Sequence, residues 1–128
     1  MNVENDPLAW VKRAEEDYAM VRSALRRKKP LTYPACFHAQ QCAEKYLKAM
    51  LVVGKHEFPK THDLLLLNDL CGKAGILLGI DLKDFHTLSD YAVRVRYPGD
   101  DPTPDEAREA FAIAKTVRRL ARKFLGVG

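Results

Sequence analysis

The stretch PACFHAQQCAEKYLKAMLVVG, residues 34–54, decides how the chain folds. It shows no alternation of apolar and polar residues. Instead Cys36, Ala39, Ala43, Leu47, Met50 and Leu51 recur mainly at steps of three and four. At about 100° per residue they share one face of an α-helix. The pattern predicts a helix from about Pro34 to Val53, with Thr32 or Tyr33 near its cap and Gly54 as its C-terminal stop. Glu44 and Lys48 stand one turn apart, acid first, the favourable order for an ion pair on a helix.

Outward from this stretch, four more segments keep the helical period and none alternates like a strand. The first helix opens near Asp6, a capping acid, and Pro7, which suits the first helical position. Its apolar stripe is Val11, Ala14, Tyr18, Val21 and Leu25. The cations at 26–29 meet the negative end of the dipole, and Pro30 stops the helix. A shorter third helix is predicted over about Thr61 to Gly72, with Thr61 as cap. A fourth begins at Asp81, carries Leu82, Phe85, Leu88, Ala92 and Val95, and ends before Pro98. The fifth has the clearest start, because Thr103, Pro104 and Glu106 supply a cap, a first-turn proline and the acid of a capping box. Ala107, Ala110, Ala114, Val117, Ala121 and Phe124 then keep one face, with alanines small enough for close packing. The expected fold is all-α, an up-and-down antiparallel bundle of about five helices, in a single domain over residues 1–128.

The totals agree with that fold. A chain of 128 residues with 47% apolar and 30% charged residues can bury one core without disulfides or a structural metal. Its net charge of +4 permits an anionic partner without requiring one. No run approaches the roughly 18–20 uncharged apolar residues of a membrane span. The first residues carry acids where a signal peptide carries bases, so a cytoplasmic protein with no membrane contact is expected. Cys36, Cys42 and Cys71 are odd in number and form no Cys-x-x-Cys, which points to buried thiols in a reducing compartment.

The candidate chemistry gathers on the second helix. His38, Gln41, Lys45 and Lys48 share one side of it and form either a phosphate- or partner-binding face or a solvated side. Gln40 and Glu44 border the apolar face and need partners there, since an unpaired buried polar group costs about 1–3 kcal/mol. On the fourth helix the wheel turns Arg96 inward beside Phe85 and Ser89 and turns Arg94 outward. Glu44 is the expected partner of Arg96, with Asp17 as second choice, and this cluster reads as structural before it reads as a ligand site. Lys45 or Lys48 would then meet a phosphate at its rim. His56 and His62 lack a supporting carboxylate or thiolate pattern for metal binding, and His62 with Asp63 reads as dressing of a helix start. The cations of the fifth helix, Lys115, Arg118, Arg119, Arg122 and Lys123, read as a solvated face near a C-terminus, with phosphate contact as the alternative.

The same residues resemble the signature of HEPN domains. The resemblance rests on Ala14 and Asp17; on His38, Gln40, Gln41, Glu44, Lys45, Lys48 and Ala49; on Thr61, His62, Asp63 and Leu64; and on Arg96, Tyr97 and Pro98. It implies a helical bundle, homodimers, and a nucleotide- or partner-binding module that works beside a nucleotidyltransferase, as in toxin–antitoxin pairs. RNA is a further ligand it implies, and Tyr97 joins the candidate binding residues through it. HEPN ribonucleases are recognised by an Arg followed, after four to six residues, by a His. No Arg of this chain has a His at that offset. The expectation is therefore a module without efficient catalysis, cofactor or metal. The alternatives are an RNA-cleaving toxin with a departed site and a purely structural assembly module.

Overall fold

The computed structural model describes residues 2–93 and 97–128. Five helices run in order, after a short 3-10 turn at Val3–Asn5: α1 (Pro7–Arg26), α2 (Thr32–Val53), α3 (Leu64–Lys73), α4 (Leu82–Val93) and α5 (Pro104–Leu125). Among the described residues there is no strand.

The helix ends follow local chemistry. Asp6 caps α1 by accepting from the Leu8 amide at 3.0 Å, and Pro7 follows it. At α5 the capping box closes in both directions: Glu106 N donates to Thr103 Oγ1 at 3.1 Å and Thr103 N to Glu106 Oε1 at 2.9 Å. Gly126 ends α5 at φ 70, in the left-handed region that glycine enters without strain.

Elsewhere the expected ends shift. The cap of α3 is Asp63 rather than Thr61, and the helix starts at Leu64. Asp63 Oδ1 reaches the Leu65 and Leu66 amides, while Thr61 Oγ1 is taken by the Asp63 amide. Helix α2 starts at Thr32 with Leu31 in the cap position and no side-chain cap bond. Gly54 does end α2, but at φ −89; the left-handed residue is Lys55 at φ 58. A Cβ at 54 would stand 2.6 Å from the ring of the exposed His56, which would have to turn aside.

Helix α2 is the centre of the bundle, and each of the other four helices packs against it. Its expected apolar face is fully buried, and so are Ala35, Cys42, Tyr46 and Ala49 on its other sides. A helix surrounded by others has no solvent face to spend on polar residues, so Gln40, Glu44 and Lys48 are buried as well. The opposed order of the contacts Glu15 to Arg122 and Tyr18 to Phe111 sets α1 antiparallel to α5. Alanines at 107, 110, 114 and 121 carry α5 onto the core. Two residues placed on core stripes lie outside: Leu82 at the first turn of α4 and Phe124 at the last turn of α5 are exposed, where fraying ends have no neighbour to cover them. Ala92 and Val95 of the expected α4 stripe fall where side chains are not described, and Arg94 and Arg96 lie outside the described residues. So do the inward turn of Arg96 and its pairing with Glu44.

Candidate functional site

Two buried carboxylates organise the polar groups of α2. Asp17, on α1, accepts from His38 Nδ1 at 2.7 Å and from Lys45 Nζ at 2.5 Å. Glu44, only 2% exposed, accepts from Lys48 Nζ at 3.0 Å, His62 Nδ1 at 2.8 Å and Gln40 Nε2 at 3.2 Å. The Gln40 amide also donates to the His62 carbonyl at 3.0 Å, and its oxygen accepts from Gln41 Nε2 at 2.8 Å. Every polar group that α2 turns inward therefore has a partner, as burial demands.

The expected side of His38, Gln41, Lys45 and Lys48 is thus divided. His38 and Lys45 are half-buried and turn to α1, and Gln41 is spent on Gln40. Lys48 is buried against Glu44, with its ammonium 5.4 Å from the Trp10 ring centre and 5.9 Å from that of Phe58. Tyr97 is exposed.

Lys48 lies at the wall of a groove of about 1020 Å³ between the N-terminal turn, the end of α2 and the α2–α3 loop. Trp10 and Phe58 meet edge to face at 6.2 Å in its wall. The Trp10 indole nitrogen donates to the Glu4 carbonyl at 2.9 Å, which fixes the ring against the turn. Lys55, Lys60, His56 and His62 line the groove too, against the acids Glu4 and Glu57. Because a carboxylate only accepts, Glu44 holds His62 with Nδ1 as donor. The rest of that imidazole stands in solvent at the groove, with its side chain 69% exposed. The arrangement offers aromatic surface for a planar ring, ammonium groups for an anion, and one oriented imidazole. Among the described residues no group of three or more His, Cys, Asp or Glu side chains is placed to hold a metal ion.

Most of this groove escapes a reading of the sequence. His62 reads there as dressing of a helix start, and its partner Glu44 lies eighteen residues earlier on another helix. Trp10 and Phe58 carry no local signal.

A second polar cluster joins α1, α2 and α5. Arg118 donates to Glu15 through Nε at 2.7 Å and Nη2 at 2.8 Å, while its guanidinium carbon lies 4.4 Å from the Tyr18 ring centre. Tyr46 donates to Glu15 and accepts from Arg122 Nη1 at 3.1 Å. The Arg118 hydrogen bonds hold the Glu15 carboxyl below its ordinary range, and burial followed by the bond to Glu15 pushes the Tyr46 hydroxyl well up. Burial does the same to two thiols, lifting Cys42 far above its ordinary range and Cys71 to about 11. These thiols are poor nucleophiles.

A bundle wrapped around one helix that buries its own paired polar groups, with a groove of aromatic rings and lysines at one edge, defines a small all-helical domain. The profile of the HEPN domain matches residues 8–124, and the chain belongs to the HEPN domain family. Its fold is similar to that in the crystal structure of TT1696 from Thermus thermophilus, with a TM-score of 0.73 and 23% identity, over 94% of this chain and 98% of that one. No curated protein sequence matches the chain. No helix among the described residues is long and apolar enough to cross a membrane.

Proposed function

We propose that this HEPN domain is a nucleotide-binding module that acts beside a nucleotidyltransferase, as in a toxin–antitoxin pair, without efficient catalysis of its own. The observation that carries the reading is the groove at Lys48, where two aromatic rings, three lysines and the Glu44-held His62 line one concave surface. A base can lie against Trp10 and Phe58, and Lys55 and Lys60, both exposed, can meet its phosphates. Of the candidate residues on α2, Lys48 lines this groove, and Glu44 accepts from Lys48 and from His62. His38 and Lys45 support it by holding α2 to Asp17 of α1, and Gln41 by bonding Gln40. Arg96, outside the described residues, and the exposed Tyr97 remain candidate binding residues.

The missing Arg-to-His spacing supports a binding role over a ribonuclease role. One observation favours the enzyme as second reading: His62 is an imidazole oriented by a buried carboxylate, the arrangement of a proton-transfer group. Incubation of purified protein with RNA separates the two. The binding module leaves RNA intact, whereas multiple turnovers abolished by His62→Ala would establish the enzyme.

Partnership is tested by inspecting the neighbouring reading frames for a small nucleotidyltransferase and co-expressing the one found there with this chain. A stable complex is expected, and independent migration of the two proteins would remove that part of the proposal. A homodimer follows from the same reading, with a self-complementary interface as the commonest solution. Sedimentation should give about twice 14.5 kDa, against a monomer at all micromolar concentrations.

A further inference from the structure

We infer that the C-terminal half of α5 is a second anion site, separate from the groove at Lys48, and that it takes a chain of phosphates. Residues 110–128 hold five cations and no acid. Together with Tyr18 those cations line an open groove of about 780 Å³, and the one carboxylate bonded to it from behind is Glu15.

A helix C-terminus attracts cations through its dipole, but that effect is confined to about the last turn. It accounts for Arg122 and Lys123 and leaves Lys115, Arg118 and Arg119 unexplained. Two of the five, Arg118 and Arg122, are not ordinary mobile surface charges. Glu15 binds Arg118 through two nitrogens and Tyr18 backs its guanidinium, while Arg122 is held by Tyr46 Oη at 3.1 Å and the Gly128 carbonyl at 3.3 Å. Both are fixed before any ligand arrives, so a ligand does not bear the entropy of ordering them. Lys115, Arg119 and Lys123 are exposed and stand four residues apart, about 6 Å of helix rise each. Successive phosphates of an extended nucleic-acid strand stand at a comparable separation, as do alternate phosphates of an inorganic polyphosphate.

The charged side chains of the lining are all donors, so the ligand must accept from them. Apart from Tyr18 the lining side chains are cations, Thr116 and Ala112, which form an open groove and no enclosed pocket for the side chains of an acidic peptide. A phosphate chain needs no such pocket, because its affinity comes from counterion release. The phosphates can belong to a nucleic-acid strand or to an inorganic polyphosphate.

The test measures binding of a labelled single-stranded oligonucleotide, and of polyphosphate of equal charge, by anisotropy and competition from 50 to 200 mM salt. Each phosphate contact contributes about 0.7 to the slope of log K against log salt for a single strand. The variant Lys115→Gln, Arg119→Gln, Lys123→Gln leaves the buried pairs intact and should lower the slope by about 2, so that the wild type loses roughly 16-fold more affinity across that range. Lys83→Gln, an exposed cation on α4 outside both grooves, should leave the slope unchanged. Tighter binding of the oligonucleotide assigns the site to nucleic acid, and equal or tighter binding of polyphosphate assigns it to free phosphate chains. No binding at 50 mM salt, an unchanged slope in the triple variant, or equal competition by polyglutamate would each overturn the inference.

Discussion

Replacing Glu44 by alanine removes the acceptor that three donors share, and the cost can be worked from their surroundings. The Lys48 ammonium, with its side chain only 8% exposed, would keep its charge and lose its only carboxylate among the described residues. Breaking a buried pair from one side costs about 3–5 kcal/mol. Two features place this case at the lower end. Lys48 keeps its contacts with the Trp10 and Phe58 rings, and it borders the groove, where water can reach the stranded charge. His62 is exposed and adds little, whereas the Gln40 amide keeps its bond to the His62 carbonyl. The expected loss is about 3 kcal/mol, a shift of about 1.5 M in the urea midpoint if the denaturant slope is about 2 kcal/mol/M. Adding Lys48→Met removes the stranded charge and should restore about 1–2 kcal/mol, and the coupling in a double-mutant cycle is that gain plus the cost of Lys48→Met alone. A Glu44→Ala loss below about 1 kcal/mol, or no coupling with Lys48, would refute the reasoning.

Glu15 makes stability depend on acid. Its folded-state pKa is lowered, first by the Arg118 hydrogen bonds, so its contribution is present above the unfolded carboxylate range and is lost as pH falls through the folded value. Thermal midpoints from pH 7 to pH 3 should therefore fall less in Glu15→Gln than in the wild type, and parallel curves would show the carboxylate to be uncoupled. The thiols of Cys42 and Cys71 should resist Ellman's reagent at pH 8 until denaturant is added, because both are buried with raised pKa; immediate reaction of either would contradict their placement. Thr103→Ala should cost about 1 kcal/mol in urea denaturation by opening the capping box, and Thr103→Ser should cost much less.

What the sequence made legible was local. The starts of α1 and α5 could be read because Asp6 with Pro7, and Thr103 with Pro104 and Glu106, complete their chemistry within one turn. At α3 two cap-competent residues stood two positions apart, and only the path of the loop selected Asp63 over Thr61. Helix α2 showed its strongest apolar face, yet periodicity measures one side of a helix and cannot report that neighbours cover the rest. The polar partners were the least legible. Asp17 meets His38 and Lys45 across 21 and 28 residues, and Glu15 meets Arg118 across 103. A charge on a helical wheel states that a partner is needed; the topology decides which one arrives. For that reason Lys48 and Lys45, neighbours on the wheel, finish with different acids, and the groove at His62 emerges only once the α2–α3 loop is in place.

The central claim is that the groove beside Lys48 binds a nucleotide, and the chain carries its own reporter, since its single tryptophan, Trp10, lies in that groove. Titration calorimetry with a panel of ribonucleotides, run beside Trp10 fluorescence, tests it most directly. Saturable heat is expected, with a fluorescence change at the same midpoint. Lys55→Ala with Lys60→Ala should weaken binding about tenfold or more, equivalent to about 1.4 kcal/mol, without shifting the unfolding midpoint. No heat and no fluorescence change with any nucleotide, from a preparation that unfolds cooperatively, would contradict the account.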